Sequence, residues 1–283
     1  MTVPENNKQP TPTPPTHGVF ISKGMRVGIP PGGLSIKDGQ LSPVVLHAAL
    51  DVVPHWLAIA LMHLQVASAE HARLSPAWQE QANDEIARVL EAEFMASMQA
   101  IMASAISMDA FYARVKEHVI IPAATLDAWR QKGTARYKQV YETIRRGFKV
   151  RKEALPKVRD ALKQIYRFRD LAVHPDPQLA EPLKHPDLGV GTEWRFVYYR
   201  FENAKGLVNV SLSLVIQLLK SPKPNNPDLQ RYTLESLPLL QPLVDEWEDK
   251  YGKLYPPTHV EIIKPLSGSR AHDNRSNLYF NAR

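Results

Sequence analysis

An arginine and a histidine stand five residues apart at the end of a predicted helix. The run RDLAVH occupies positions 169–174 and is followed by Pro175. A histidine can move a proton to or from a 2′-hydroxyl or a leaving oxygen, and an arginine can hold two phosphate oxygens and stabilise the growing charge. Arg169 and His174 therefore point to phosphodiester chemistry that needs no metal ion.

The pattern of the predicted helix, which begins at Pro156 and runs to about Val173, places Arg169 on an apolar face. On a wheel of 100° per residue, that face is formed by Leu155, Val158, Leu162 and Ile165. Arg169 and Ala172 take the next two positions. A guanidinium there costs free energy unless an anion meets it, so Arg169 either pairs with an acid on a neighbouring helix or faces an anion-binding cleft. Pro175 disfavours the helical conformation of His174, which should end the helix.

The run at 169–174 resembles the Arg-polar-x-x-x-His signature of HEPN domains, the nuclease family of higher eukaryote and prokaryote nucleotide-binding domains. The resemblance implies a metal-independent endoribonuclease, in which two protomers of a homodimer bring their motifs together in one cleft. It makes Arg169 and His174 the catalytic pair and Asp170 the polar residue that orients the histidine. Because the family tolerates longer spacings, Arg167 is a second candidate for the arginine. Asp176 stands where one branch of the family has a tyrosine.

Positive charge is concentrated around the same helix. Ten basic residues lie between Arg145 and Arg169 and only Glu153 and Asp160 oppose them, so this stretch carries +8 while the whole chain carries +6. Such a strip attracts polyanions, of which nucleic acid is the commonest, although a solvated helix face has the same composition. We expect RNA contacts from Arg151, Lys152, Arg159, Lys163 and Arg167.

Composition and helix signals predict a mostly α fold. The 283 residues are 44% hydrophobic and 23% charged, and the absence of cysteine excludes a disulfide scaffold, a thiol nucleophile and a Cys-ligated metal. Ser42-Pro43 and Ser75-Pro76 are typical helix starts. Predicted helices follow at 76–106, 109–120, 125–146, 156–173, 203–219 and 228–251, in a HEPN-like bundle with short β elements near the N-terminus and between the late helices.

The predicted organisation has four parts. Residues 1–17 form a disordered Pro-rich tail, 18–74 a β/loop segment with a helical pair, 75–255 the helical bundle and 256–283 a C-terminal tail. The most apolar stretch, residues 44–66, is interrupted by one aspartate, three histidines and a proline, so it predicts a buried helix pair and no membrane span. Without a secretory signal, the expected location is the cytoplasm.

Other patterns predict structure more than chemistry. His47, His55, His63 and His71 recur every eight residues, which does not place them on one helix face. The His-Pro-Asp sequences at 174–176 and 185–187 are typical of turns. The aromatic residues at 194–201 are expected in the core, although aromatics between arginines can also stack on single-stranded bases. We expect no metal and no cofactor.

The leading interpretation is a HEPN-type ribonuclease of a toxin–antitoxin or phage-defence system, with RNA, a second copy of the chain and an antitoxin or defence protein as partners. RNA is favoured over DNA because metal-free cleavage uses the 2′-hydroxyl of the substrate as the nucleophile. The alternative is a non-catalytic helical module that binds nucleic acid or a protein. A third interpretation is a helical subunit whose basic strip is an interface.

Overall fold

A computed structural model describes residues 19–37, 39–41, 44–174 and 179–256, and helices dominate these residues, as predicted. Eight α-helices occur there, with one 3-10 turn at Lys152–Ala154. The helices are α1 (Val53–Gln79), α2 (Asn83–Lys116), α3 (Ala123–Gln131), α4 (Arg136–Gly147), α5 (Leu155–Val173), α6 (Trp194–Tyr198), α7 (Phe201–Leu219) and α8 (Pro227–Tyr251).

The β structure of the described residues consists of three antiparallel strand pairs. β1 (Met25–Gly28) pairs with β4 (His47–Leu50), β2 (Ile36–Lys37) with β3 (Gln40–Leu41), and β5 (Leu183–Lys184) with β6 (Gly191–Thr192). The first two pairs precede the helices and the third lies between α5 and α6. Short β elements were predicted in both places.

The chain divides into two compact units, residues 1–50 and 51–283. The first holds β1 to β4, and many of its apolar side chains, such as Phe20 and Ile36, are exposed. The second holds the helices and the hydrophobic core. The predicted boundary between residues 74 and 75 falls inside α1. The tails predicted at 1–17 and 256–283 lie outside the described residues, except for Pro256.

The start of α1 differs from the prediction. The helix begins at Val53, where the Asp51 carboxylate accepts the Val53 N–H at 3.1 Å and Pro54 takes the first turn. The predicted helix pair over 44–66 is therefore wrong, because β4 precedes a single helix. Ser75-Pro76 lies in the last turns of α1 and starts no helix, and Ser42-Pro43 lies outside the described residues.

Two further helix boundaries were also misplaced. α2 is one continuous helix where the sequence predicted a break before Asp109, and no glycine or proline interrupts it. Conversely, the single helix predicted over 125–146 is divided into α3 and α4. Gly133 lies between them with a φ of +54°, a left-handed conformation that a side chain disfavours and that a continuing helix cannot use.

The core of the second unit is built around α2. This helix packs against α1, α4, α5 and α7, while α8 covers α1 and α7. Leu64, Ile101, Phe111, Leu162 and Val215 are among its fully buried side chains. The middle of α2 is apolar, with no charged residue between Glu93 and Asp109. By length and composition alone α2 could span a membrane, contrary to the expectation that no segment would, and half of its most apolar stretch is buried inside the protein.

Of the aromatic residues after β6, Tyr199 and Phe201 are buried in the core, as predicted, and Trp194 and Tyr198 pack against it half-buried. The first of them form the short helix α6. Tyr199 is buried and its hydroxyl donates to the Phe168 carbonyl at 2.7 Å, and Phe196 packs on Phe94 with ring centroids 5.5 Å apart. This packing fixes the end of α5, where Phe168 is followed by Arg169.

Candidate active site

Helix α5 places Arg169 on its inward face. Val158, Leu162 and Ile165 are buried on that face, as the wheel predicted, and Arg169 follows them with its side chain 25% exposed. The cost of placing a guanidinium beside the core is met by charged partners on both sides. Of the two possibilities that the sequence left open, the structure thus shows the first, in which Arg169 pairs with an acid on a neighbouring helix.

Arg169 is held by two carboxylates and one aromatic ring. Its Nη1 donates to Asp109 Oδ2 at 3.0 Å, and its Nε and Nη2 donate to Asp170 Oδ1 at 3.1 and 2.8 Å. Its guanidinium carbon lies 4.7 Å from the ring centroid of Tyr166. A guanidinium carries five N–H donors, so these bonds leave one on each Nη atom for another acceptor.

Asp109 of α2 is the point at which three helices meet. Its Oδ1 accepts from the Tyr166 hydroxyl at 2.9 Å and forms an ion pair with Arg136 Nε at 3.0 Å, while its Oδ2 accepts from Arg169. Burial, and then the nearby Asp109 carboxylate, raises the pKa of Tyr166, so its hydroxyl stays protonated and donates. Asp109 thus joins α2 to α4 and α5.

His174 lies at the exposed C-terminal end of α5. Its backbone N–H donates to the Asp170 carbonyl at 2.9 Å, and its φ of −115° and ψ of 81° end the helix as predicted. Among the described residues, its imidazole makes no hydrogen bond or ion pair. The motif implied that Asp170 orients His174. Within one chain, the structure instead brings the Asp170 side chain to Arg169.

The predicted RNA-binding residues lie on and just before α5. Arg151, Lys152, Arg159 and Lys163 are exposed, and Arg167 is half-buried. The earlier part of the basic stretch is less positive, because Arg145 and Arg146 both pair with Glu142 at 2.8 and 2.7 Å. The hydrogen bond from Arg145 is the main reason why the pKa of Glu142 is lowered. Of the other basic residues, Arg151 and Lys152 lie before the start of α5, and Arg159, Lys163 and Arg167 lie along the helix towards Arg169.

Sequence reasoning did not identify Asp109, Tyr166 or Arg136 as parts of this site. A signal was available for Asp109, because it is a single acid in a long apolar stretch of α2, as Arg169 is a single base on an apolar stripe. Two opposite charges, each alone on an apolar helix face, are candidates to form an ion pair with each other. The sequence carried no comparable signal for Arg136.

A second buried polar cluster lies apart from the motif. The Glu93 side chain is 2% exposed, and its Oε1 accepts from His71 Nδ1 at 3.0 Å and from the Phe201 backbone N–H at 2.7 Å. His185 is buried in the turn after β5, where its Nδ1 accepts from the Asp187 N–H at 3.3 Å. The described residues contain no group of three or more His, Asp or Glu side chains that could hold a metal ion.

Comparison with known proteins adds no relative: no protein-family model matches the chain, and neither a curated protein nor a solved structure shows significant similarity to it.

Proposed function

We propose that this protein is a metal-independent endoribonuclease of the HEPN type that acts as a homodimer. The observation that carries the proposal is the placement of Arg169 and His174 at the same end of α5, the helix that also exposes Arg159 and Lys163. A strand drawn to the basic residues would reach the motif at the end of that helix. A second copy of the chain would bring its own α5 end to complete the cleft.

The proposed reaction needs only proton transfer and charge stabilisation. The 2′-oxygen of one nucleotide attacks the adjacent phosphorus and gives its proton to a base, and the bond to the 5′-oxygen breaks as that oxygen takes a proton. The products are a 2′,3′-cyclic phosphate and a 5′-hydroxyl. His174 is exposed and moves a proton, while Arg169 presents its two remaining N–H donors to the phosphate oxygens.

The carboxylates around Arg169 suit this role because they fix the guanidinium in one orientation. A bidentate contact to a phosphate depends on that orientation, and an arginine held by Asp109 and Asp170 loses little freedom when the phosphate binds. In this interpretation Asp170 positions Arg169.

The test is cleavage of a mixed RNA pool in excess EDTA. We expect the wild type to cut and to leave 2′,3′-cyclic phosphate ends, and we expect His174→Ala and Arg169→Lys to lose cleavage. The lysine keeps the charge and loses the planar fork. His47→Ala is the matched control, since it removes an exposed histidine far along the chain. Equal cleavage by all four proteins would overturn the proposal.

One observation favours the alternative of a non-catalytic binding module. Arg169 is paired with Asp109 of a neighbouring helix, as expected of a structural ion pair. In that case neither the wild type nor any of the variants cuts RNA. The wild type still binds RNA with a steep salt dependence, and His174→Ala binds it as the wild type does. A role in a toxin–antitoxin or defence system, a protein partner of that kind and a location in the cytoplasm stay predictions.

A further inference from the structure

A continuous series of contacts leads from Arg169 to two further cations. Arg169 and Arg136 form ion pairs with the same Asp109 carboxylate, through Oδ2 at 3.0 Å and Oδ1 at 3.0 Å. The guanidinium carbon of Arg136 lies 4.9 Å from the ring centroid of Tyr112, and the Lys116 Nζ lies 5.7 Å from the same centroid. The three cations come from α5, α4 and α2 and are linked through Asp109 and the Tyr112 ring.

Arg136 is held firmly at one edge and is open at the other. Its Nε forms an ion pair with Asp109, and its Nη1 makes a long contact of 3.4 Å to Gln139 Oε1. Its side chain is nevertheless 44% exposed, and the described residues provide no acceptor for its Nη2. The ring of Tyr112 is buried and supports the guanidinium from one face. This is the geometry of an arginine arranged to meet an anion from solvent.

The charges of the group favour an anion over a cation. Arg169, Arg136 and Lys116 carry three positive charges, and Asp109 and Asp170 carry two negative charges. Both oxygens of Asp109 contact groups of the protein itself, which neutralise its charge locally. Lys116 and Arg136, in contrast, are exposed to solvent. Asp170 is also exposed to solvent, and with its charge included the group keeps a net charge of +1.

We propose that Arg136 and Lys116 form a second phosphate subsite beside Arg169, which binds a neighbouring phosphate of the same RNA strand. The inference rests on the proposed RNA substrate and extends the binding surface from α5 to α4 and α2. Because Arg136 and Arg169 share one carboxylate, a strand seated on one guanidinium passes close to the other. Single-stranded RNA is the form of the substrate that can follow such a path around the helix ends.

The experiment measures how the affinity for a short single-stranded RNA depends on salt. The logarithm of the association constant K falls as the logarithm of the salt concentration rises. For a single strand, each lost phosphate contact lowers the magnitude of that slope by about 0.7. We expect that decrease for Arg136→Gln and for Lys116→Gln, and about twice that decrease for the double variant. Arg136→Lys keeps the charge, so its slope should stay at the wild-type value. Arg130→Gln is the control, because Arg130 is 78% exposed on the neighbouring α3 and pairs with Asp127.

The outcomes separate this inference from the function on which it rests. A wild-type slope in Arg136→Gln and Lys116→Gln, together with a lower slope in Arg159→Gln and Lys163→Gln, overturns the second subsite and leaves RNA binding by α5 intact. A lower slope in Arg130→Gln equal to that in Arg136→Gln also overturns it, since the effect would then be one of general charge. Failure of the wild type to bind the RNA overturns both proposals.

Discussion

The Arg169 guanidinium and the Asp109 carboxylate join α5 to α2, with Nη1 and Oδ2 3.0 Å apart and both side chains about one quarter exposed. The contact links the helix that carries the candidate motif to the central helix of the core. It also ties the orientation of Arg169 to a residue that is 60 positions away in the chain. Structural stability and the geometry of the candidate site therefore depend on the same pair.

Replacing Asp109 by asparagine should destabilise the protein. The change removes the carboxylate charge that Arg136 and Arg169 share, and only Arg169 keeps a second countercharge, Asp170. We expect the free energy of unfolding to fall by about 1–3 kcal/mol, measured by urea denaturation with tryptophan fluorescence. Asp127→Asn removes an exposed partner of Arg130 and should change it by less than about 0.5 kcal/mol. Equal effects of the two variants would contradict a special role for Asp109.

The Tyr166 hydroxyl should contribute to stability through Asp109. Tyr166→Phe keeps the buried ring and removes the donor to Asp109 Oδ1, and a hydrogen bond to a charged group is typically worth about 1.5–3 kcal/mol. We expect a loss of that size in the wild type and a much smaller loss in an Asp109→Ala background. A double-mutant cycle by urea denaturation measures the coupling, and a coupling of zero would show that the hydroxyl acts elsewhere.

Histidine 71 should make the protein less stable as the pH rises above neutral. The hydrogen bond with Glu93 raises the pKa of His71, although partial burial opposes the shift. A raised pKa means that the folded state binds the proton more tightly. The contribution to stability is therefore complete below the unfolded pKa of about 6.5 and is lost as the pH rises through the folded pKa. Urea denaturation between pH 5 and 9 should show this loss in the wild type and not in His71→Gln.

His185 should produce the opposite dependence. Burial lowers its pKa, against the effect of Asp187 and Glu93, and the Asp187 N–H bonded to Nδ1 fits a neutral ring. Its contribution to stability is complete above the unfolded pKa of about 6.5 and is lost as the pH falls through the lowered folded pKa. In the same titration, His185→Gln should flatten the acid side of the curve only. Flattening on the alkaline side would contradict the assignment.

The elements that sequence predicted well are those whose signals are local. The apolar stripe of α5, its end before Pro175 and the burial of the aromatic residues near Tyr199 each follow from neighbouring residues. The start of α1 was missed because Ser42-Pro43 looks like a helix start, whereas the observed start depends on Asp51. The break at Gly133 was missed because its φ is a property of the fold.

In the candidate site, too, the features with local signals could be predicted and those that depend on helix packing could not. The motif at 169–174 is contiguous, so its position at a helix end could be predicted from spacing and Pro175. The partners of Arg169 could not, because Asp109 and Arg136 come from α2 and α4 and meet it only through helix packing. That packing also determines how the Arg169 guanidinium is oriented, with three of its N–H donors bonded to carboxylates and two remaining.

The start of α8 depends on Asn226, which makes two different hydrogen bonds. Its Oδ1 accepts from the Leu229 N–H at 2.9 Å and caps the helix, and its Nδ2 donates to the His118 carbonyl after α2. Asn226→Ser keeps a capping oxygen and is too short to reach His118, so it should cost about 0.5–1.5 kcal/mol for the lost amide bond. Asn226→Ala loses the cap as well and should cost about 1 kcal/mol more. Urea denaturation of both variants measures the difference, and identical stabilities would mean that the cap contributes nothing and that α8 is held by its packing on α1 and α7 alone.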